Sequence, residues 1–488
     1  MNPADAPSPH MDPDTFRTLG HQAVDWIADY WQHLADHPVA PPVEPGSIRA
    51  QLPSAPPEHG EDFPALLADL ERIVLPGLLH WQHPRFFGYF PANASGPAVL
   101  AELLSAGLGV QGMNWSTSPA CTEVEQQMLD WFVQLLGLPA HFRGTGVIQD
   151  TASSALLVAL LTALHRASGG RTRDHGTDGH RYRVYLTRET HSAAAKAAVI
   201  TGLGLRALHE VATDADGAMD AADLETRIRA DRAAGATPLM VVATRGTTSR
   251  LSFDALDAIG PVCRRHGVWL HVDAAYAGVA AICDELRWVG DGVHHADSYC
   301  TNPHKWLLTN FDCDLLWVTA PEALVGALSV LPEYLRNPAS ASGRVTDYRH
   351  WQVPLGRRFR ALKLWSVVRW YGAEGLRAHI RTGVRHARLF AGLLRTDPRF
   401  TLLAPPVLGL VTFRLNASDA ANRGLLDTVN TEGTTFLTHS EKNGTYFLRF
   451  ATGGTFTEDR HVHEAWRALR KAASAGDEGE QGAAMTSR

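Results

Sequence analysis

Residues 238–273, "PLMVVATRGTTSRLSFDALDAIGPVCRRHGVWLHVD", decide the fold. The apolar runs 238–244 and 268–273 have the length and composition of buried strands, and 254–267 between them has helical spacing. A strand, a helix and a strand in this order predict a βαβ unit, the building block of a parallel sheet with helices on both faces.

The same alternation extends on both sides of this unit. Residues 154–167 and 192–202 have helical patterns, whereas 183–187 and 313–319 resemble strands. The sequence therefore predicts an α/β domain, in which ligands collect at the carboxyl ends of the strands.

Outside this region the pattern changes twice. Residues 14–36 carry apolar positions at helical spacing before a proline-rich break, and from about 373 onward "RFTLLAPPVLGLVTFRL" and "TYFLRFA" indicate an antiparallel α+β unit. We predict four parts: an N-terminal helical arm used in dimerisation (1–94), a large α/β domain (95–372), a small α+β domain (373–475) and a disordered tail (476–488).

Composition excludes several classes of protein. The 488 residues are 45% hydrophobic and 20% charged with a net charge of -6, which is typical of a globular chain without a basic surface for nucleic acid or anionic membranes. The five cysteines form no CxxC pair, so we expect neither a disulfide framework nor a thiolate metal site. The longest apolar run, 154–164, is too short to span a bilayer, and the N-terminus lacks a secretory pattern; we expect a cytoplasmic protein.

Chemically useful residues follow several predicted strands. Asp273 ends one strand and precedes small residues, although an aspartate there more often caps a helix. His191 follows 183–187, and the hydroxyl-bearing segment 151–153 precedes a long helix, where a phosphate is favoured. Lys305, in "TNPHKWLLTNFDCD" (301–314), stands beside apolar residues, where a buried ammonium would be costly. For a lysine considered alone, the simpler explanation is a side chain that extends its amine out to solvent. Together an acid, an imidazole, a phosphate cradle and a lysine describe a pyridoxal phosphate site.

Six longer motifs carry a family resemblance: "SPACTEVE" (118–125), "GVIQ" (146–149), "VATRGTTS" (242–249), "HVDAAYAG" (271–278), "NPHKW" (302–306) and "DYRHWQVPLGRRFRALKLW" (347–365). With them the chain resembles, over nearly its whole length, the group II pyridoxal-phosphate decarboxylases, and specifically the aromatic L-amino acid decarboxylases. The resemblance implies a fold type I, aspartate aminotransferase-like large domain with a mostly parallel seven-stranded sheet. It also implies pyridoxal 5'-phosphate as cofactor and a homodimer.

The resemblance assigns a role to each cofactor-binding position. Lys305 would bond to the cofactor aldehyde, Asp273 would pair with the ring nitrogen, and His191 and Ala275 would cover the two ring faces. Thr248 would lie near the reactive edge, and His304 at a further cofactor contact. The phosphate would be held by Thr151, Ala152, Ser153, Ser298 and Asn302. Asp150, where animal relatives have glycine, would have to turn its carboxylate away from the phosphate or would weaken its binding.

The resemblance also implies a substrate pocket and a proton donor. Tyr334, before the small and polar segment 337–347, would deliver a proton to the substrate from a mobile loop, and is expected to be catalytic with Lys305, Asp273 and His191. The pocket would be lined by Trp81, Tyr89, Phe90, Pro91, Gln111, Met113 and Gly356. Gln111 and Met113 depart from the isoleucine and phenylalanine of animal enzymes.

These assignments predict decarboxylation of aromatic L-amino acids to amines. The space at Gly356 suits an indole, so tryptophan or 5-hydroxytryptophan is expected, with tyrosine, phenylalanine or dihydroxyphenylalanine as further candidates. Two alternatives stay open: an aldehyde synthase of the same fold, whose members typically lack the loop tyrosine or the stacking histidine, and a catalytically silent scaffold, against which the intact Lys305, Asp273 and His191 argue.

Overall fold

The computed structural model describes residues 10–330, 338–442 and 444–486. Its larger sheet is built from β1 (Gly146–Gln149), β2 (Tyr182–Leu186), β3 (Leu208–Glu210), β4 (Thr237–Thr244), β5 (Trp269–Asp273), β6 (Ser298–Thr301) and β7 (Asp314–Val318). The strand order is β1-β7-β6-β5-β4-β2-β3, with β7 antiparallel to both neighbours and the other pairs parallel. The predicted seven-stranded, mostly parallel sheet is confirmed.

The α-helices of the described residues are α1 (Pro13–His33), α2 (Phe63–Asp69), α3 (Gly96–Leu108), α4 (Pro119–Leu136), α5 (Ala152–Ser168), α6 (Thr172–His175), α7 (Ala193–Ile200), α8 (Ala221–Ala233), α9 (Leu256–His266), α10 (Pro303–Trp306), α11 (Pro321–Leu328), α12 (Pro338–Ala341), α13 (Arg360–Leu394), α14 (Asp419–Thr431) and α15 (Asp459–Thr486). Apolar residues of α5, α7 and α11 pack in one core cluster with one face of the larger sheet. Those of α4, α8, α9 and α13 pack in a second cluster with the other face, so the sheet is covered on both sides.

A smaller antiparallel sheet contains β8 (Phe400–Leu402), β9 (Leu410–Leu415), β10 (Thr438–Lys442) and β11 (Thr445–Ala451), in the order β10-β11-β9-β8. Its own core includes Phe390, Phe413 and Phe450 and residues of α14 and α15. Gly372, with φ +62°, interrupts α13 between the part that packs on the larger sheet and the part that packs on the smaller one.

The N-terminal arm presents an apolar surface. Asp12 caps α1 by accepting from Thr15 N at 2.9 Å, yet none of the residues in α1 is buried. Phe16 of α1 is 57% exposed, and Leu103 of the facing helix α3 is 49% exposed. An apolar groove of about 780 Å³ lies between the two helices.

The C-terminal helix differs from the expectation for the tail. Helix α15 continues to Thr486, whereas the sequence predicts disorder from residue 476. Once its first turns are packed, adding residues to a helix requires no new nucleation, so the helix extends through Gly476, Gly479 and Gly482 although glycine disfavours it. None of the described helices combines the length and the apolar character that crossing a membrane requires.

Candidate active site

Lys305 lies in the short turn of α10, directly after β6. Pro303 opens this turn, and Lys305 N donates to Asn302 O at 3.1 Å. Asn302 N in turn donates to Ala275 O at 3.0 Å, and Asn93 N donates to the carbonyl oxygens of His304 (3.0 Å) and Lys305 (3.2 Å). The backbone of the lysine is therefore fixed against the loop that follows β5.

The Lys305 amine lies in a poorly solvated environment. Burial lowers its pKa, while Asp273, Cys300 and Asp314 act in the opposite direction. Its Nζ lies 5.7 Å from the centroid of the Phe90 ring. An amine whose charged form is disfavoured is suited to nucleophilic attack on a carbonyl.

Asp273 is the last residue of β5 and is 7% exposed. Its Oδ1 accepts from Ala275 N at 2.9 Å, so the carboxylate also holds the turn in which Ala275 lies. Asp273 lies opposite Thr244 of β4 and Cys300 of β6, at the edge of the sheet from which Asn302 and Lys305 continue. Its second oxygen can accept from a ring N–H, so the capping role and the predicted cofactor role are compatible.

The amino terminus of α5 follows β1 at the same edge. Thr151 is the N-cap, and its side chain makes no capping hydrogen bond within the described structure. Thr151 and Ala152 are half-buried and Ser153 is exposed. First-turn N–H groups have no intrahelical acceptor, so this terminus can bind a phosphate.

Asp150 partly fills this terminus. Its Oδ1 accepts from Thr151 N at 2.6 Å, so the carboxylate lies against the phosphate loop instead of turning away from it. A bound phosphate would face this negative charge.

Asn302 and His304 precede Lys305 in the chain and are both buried. His304 Nδ1 accepts from Cys313 N at 2.9 Å, and burial lowers the pKa of His304 to about 3, so the ring is neutral. Asn302 Nδ2 lies 3.3 Å from His304 Nε2, while Asn302 Oδ1 is buried without a hydrogen-bond partner in the described part of the chain.

Ser298 is the predicted phosphate ligand that the structure places elsewhere. It begins β6 opposite His271, two residues before the level of Asp273, and is fully buried. Its Oγ accepts from Trp269 Nε1 at 2.8 Å and lies 2.9 Å from His271 Nδ1. Its hydroxyl therefore stabilises the interior of the sheet, and its assignment to the phosphate is corrected.

His191 and Thr248 lie in loops after β2 and β4, and both are exposed. His191 Nδ1 accepts from Ala193 N at 3.2 Å, which leaves the proton of a neutral imidazole on Nε2. Both side chains are therefore accessible at the edge of the sheet where Asp273 lies.

Arg449 belongs to this region, although neither the sequence motifs nor the family resemblance predicts it. It lies in β11, is 3% exposed, and donates to Thr248 O at 2.7 Å and to Ser249 O at 3.2 Å. Its guanidinium lies 5.2 Å from the centroid of Phe90, the ring that also faces Lys305. The sequence feature that could have revealed Arg449 is its position as the single charge in the apolar strand "TYFLRFA", because a charge in such a strand usually has a specific buried partner.

The predicted substrate-binding residues form two separate groups. Trp81 and Tyr89 are exposed and their ring centroids lie 5.3 Å apart in a stacked arrangement, while Phe90 and Pro91 are buried.

The second group lies elsewhere: Gln111 and Gly356 line a cavity of about 330 Å³ that also includes Asp150. Gln111 Oε1 accepts from Arg357 N at 2.6 Å, and the half-buried Met113 accepts through its carbonyl oxygen from Arg349 N at 2.9 Å. Tyr334 lies outside the described residues.

Comparison with known proteins identifies this arrangement. The sequence profile of the pyridoxal-dependent decarboxylase conserved domain matches residues 45–416. The chain belongs to the pyridoxal-dependent decarboxylase family. This decarboxylase is 44% identical over 477 residues to the aromatic-L-amino-acid decarboxylase of Rattus norvegicus, covering 95% of this chain and 98% of that protein. It is also 44% identical over 478 residues to the phenylacetaldehyde synthase of Arabidopsis thaliana, covering 95% and 97%.

A solved structure of the family has the same fold. The crystal structure of Oryza sativa TDC with PLP and tryptamine superposes with a TM-score of 0.93 at 40% sequence identity, covering 96% of this chain and 99% of that chain.

The residues of this decarboxylase fit pyridoxal phosphate. The amine with a lowered pKa, the carboxylate that ends β5 and the small side chain of Ala275 suit its aldehyde, ring nitrogen and ring face. The uncapped first turn of α5 suits its phosphate region. The Asn302 amide does so when it is turned, because its oxygen then accepts from His304 Nε2 and its NH2 group takes the unpartnered position and can donate to a phosphate. Lys305, Asp273, Ala275, Ala152, Ser153 and Asn302 are thus the residues that would hold the cofactor.

Proposed function

We propose that the protein decarboxylates aromatic L-amino acids, releasing CO2 and the corresponding amine. The observation that carries the proposal is the Lys305 amine, whose pKa burial lowers beside the strand-end carboxylate of Asp273 in a pyridoxal-dependent decarboxylase. The names of the rat relative and of other relatives, such as a tryptophan decarboxylase of Camptotheca acuminata at 43% identity, support the substrate class.

Pyridoxal phosphate supplies an electron-withdrawing ring that accepts the electrons left when a carboxyl group departs. Asp273 keeps a proton on the ring nitrogen and so maintains that electron demand. His191 Nε2–H and the Thr248 hydroxyl orient the carboxylate of the substrate for departure. Tyr334 delivers the proton that Cα requires after CO2 has left, as the family resemblance implies.

The substrate pocket favours a flat, apolar side chain. The Phe90 ring lies 5.7 Å from the Lys305 amine, and Tyr89, the preceding residue, stacks on Trp81. Apolar aromatic walls of this kind bind indole and phenyl rings. We infer that tryptophan or 5-hydroxytryptophan fits, because a Cβ added to Gly356 would meet Gln111 Nε2 at 3.2 Å whereas glycine leaves this space free.

We infer a homodimer for two reasons. The groove between α1 and α3 exposes more apolar surface than an isolated helical arm can keep in water. The aromatic group at Trp81 and the group at Gln111 and Gly356 line different surfaces of the described chain. A two-fold interface brings each group of one protomer close to the complementary group of its partner.

We further infer a cytoplasmic location. All five cysteines are free and buried in the structure, as in proteins of reducing compartments.

An aromatic aldehyde synthase is the second candidate, because the phenylacetaldehyde synthase of Arabidopsis thaliana matches as well as the rat decarboxylase does. His191 and Tyr334 favour the decarboxylase, since the family's aldehyde synthases typically lack one of them.

A panel of L-amino acids tests the proposal. We expect CO2 and amine from tryptophan or another aromatic substrate in equal amounts, without oxygen consumption. Activity confined to glutamate or to aliphatic substrates would contradict the substrate class, whereas aldehyde and hydrogen peroxide would select the second candidate. Lys305→Ala should lose both turnover and the covalently bound cofactor; a wild-type protein without either would indicate a silent scaffold.

A further inference from the structure

Asp314 is a carboxylate beside the reactive lysine for which the proposed function has no use. It is the first residue of β7, paired with Gln149 at the end of β1. On the other side, Leu315 pairs with Thr301 of β6, so Asp314 lies at the level of Asn302. The strand register thus places Asp314 between the phosphate loop and the turn that carries Lys305.

The Asp314 side chain is sealed from water. The residue is 0% exposed, and neither carboxylate oxygen has a hydrogen-bond partner among the residues that the structure describes. Asp254, another buried carboxylate of the same domain, instead accepts from Met219 N and Thr244 N, both at 2.7 Å. An unpaired charge in such a place is strongly unfavourable, so Asp314 requires either a proton or a cation.

Other ionisable groups lie close to this carboxyl group. Asp273 of β5 is opposite Cys300 of β6, and Cys300 is opposite Leu316, which is two residues from Asp314 on the same face of β7. Asp273 and Asp150 disfavour the charge of Asp314, and Lys305 of α10 favours it. Lys305 is the one cation among them. The Lys305 amine and the Asp314 carboxyl group therefore form a pair that shares one proton: either the lysine is an ammonium and the aspartate a carboxylate, or both groups are neutral.

We propose that Asp314 is the proton acceptor of Lys305, and this inference rests on the role of Lys305 in the proposed function. The flexible lysine side chain turns until Nζ reaches hydrogen-bond distance of Asp314, and the ammonium proton then moves to a carboxylate oxygen. This gives a neutral amine and a neutral acid without changing the charge of the cluster. The amine then bonds to the cofactor aldehyde with release of water, and Asp314 keeps the proton. Asp314 is a positioning residue in this sense, because it sets the protonation state of the lysine and touches no substrate.

Asp273 cannot perform this task while it pairs with the ring nitrogen of the cofactor. Asp314, Cys300 and Thr301 are all 0% exposed, so a proton held at Asp314 does not exchange with water directly. Without Asp314, the ammonium proton has to leave the protein.

Infrared difference spectroscopy of the holoenzyme tests the location of the proton. At about pH 8, above the pKa of about 6 of Asp254, we expect a protonated-carboxyl stretch in the wild type that disappears in Asp314→Asn and persists in Asp254→Asn. Asp314→Ser is the second acid-free variant in case the amide disturbs the strand, and should lose the same band. A wild-type holoenzyme without this band, or variants that retain it, would overturn the proposal.

Proton release on cofactor binding provides a second readout. Calorimetric titration of cofactor-free full-length protein with pyridoxal phosphate, in buffers of different ionisation enthalpy, counts protons released at several pH values. At the acidic end of the range we expect Asp314→Asn to release about one proton more than the wild type, because the lysine proton goes to the buffer. Equal counts at every pH would contradict the inference.

Lys305→Ala separates this inference from the proposed function. Covalent cofactor retained in Lys305→Ala would refute the role of the lysine itself. Covalent cofactor lost in Lys305→Ala, together with equal proton counts for the wild type and Asp314→Asn, would refute the role of Asp314 alone.

Discussion

Arg449 donates a hydrogen bond of 2.7 Å to the carbonyl oxygen of Thr248. Through this contact the smaller sheet holds the loop that follows β4, where Thr248 is expected to meet the cofactor. The same guanidinium donates to Ser249 O at 3.2 Å and to Thr438 Oγ1 at 3.0 Å, and burial lowers the pKa of Arg449 to about 10. The two sheets are therefore joined by one buried cation at the edge of the active site.

Arg449→Lys should lower kcat/KM and weaken cofactor binding while the fold is retained. An ammonium cannot reproduce the forked donor set of a guanidinium, so one or more buried carbonyl oxygens lose their partners. Each such loss costs about 1–3 kcal/mol, which corresponds to roughly five- to 150-fold in affinity or rate. Steady-state kinetics and cofactor titration measure the effect.

Arg414→Lys is the matched control for this substitution. Arg414 lies in β9 of the same sheet and donates to Ala417 O at 2.8 Å, away from the Thr248 loop. Its kinetics should stay within about twofold of the wild type, as expected of a surface change far from the chemistry. Equal losses in the two variants would mean that Arg449 acts only through general stability.

Asp150→Asn should strengthen cofactor binding. The amide oxygen can still accept from Thr151 N, which Asp150 Oδ1 contacts at 2.6 Å, but the negative charge next to the phosphate is gone. Removing a charge at a helix amino terminus changes binding by about 0.3–1 kcal/mol, so the Kd of pyridoxal phosphate should fall roughly two- to fivefold. A weaker complex would show that the carboxylate helps to organise the loop.

Local pattern was sufficient to single out Lys305 and the strand-end Asp273, while their expected roles came from the family resemblance. Lys305 and Asp273 stand at the ends of apolar runs, and the parallel sheet brings such ends together whatever the loops between them do. The order of the strands, with β7 antiparallel beside β1, depends on long-range pairing that no local pattern encodes.

Ser298, Arg449 and Asp314 show where prediction from sequence fails. Ser298 is three residues upstream of Thr301, and only the folded structure shows that its hydroxyl bonds to Trp269 and His271 inside the sheet. Arg449 reaches Thr248 across 201 residues of chain, and Asp314 faces Lys305 because two strands flank it. Such contacts exist only in the folded chain.

His304 should make the enzyme sensitive to acid. Burial lowers its pKa in the folded state to about 3 from an ordinary value of 6.5, so the folded protein binds this proton more weakly than the unfolded chain does. The contribution of the neutral His304 ring to the free energy of unfolding is therefore complete above pH 6.5 and is lost as the pH falls towards 3. At about 1.4 kcal/mol per pH unit, acidification to pH 5 removes about 2 kcal/mol.

His304→Gln tests this contribution. Glutamine does not titrate, so the decrease in thermal midpoint between pH 7 and pH 5 should be smaller in the variant than in the wild type, whatever their midpoints at pH 7. An equal decrease would assign the acid sensitivity to other buried histidines, such as His83, His271 and His386, whose pKa values burial also lowers.

Leu103→Asp should dissociate the inferred dimer. Leu103 lines the apolar groove between α1 and α3 and is 49% exposed, so an interface there would bury the new charge without a partner. Burying an unpaired carboxylate costs several kcal/mol, enough to shift the mass in light scattering to that of a monomer at assay concentration. Leu205→Asp is the control, because this leucine is 61% exposed outside the groove and should leave the mass unchanged.

Tyr334→Phe should change the product instead of stopping the reaction. After CO2 has left, Cα can take a proton or react with dioxygen, and the ratio depends on how fast a positioned acid delivers the proton. General acid catalysis contributes roughly 10²–10⁴-fold, which is enough to decide between the two outcomes. Phenylalanine removes the hydroxyl and keeps the ring, so substrate binding and CO2 release should persist. Amine should decrease while aldehyde, ammonia and hydrogen peroxide rise, with oxygen consumed as CO2 appears. Amine formation at the wild-type rate without oxygen uptake would assign the proton to another donor.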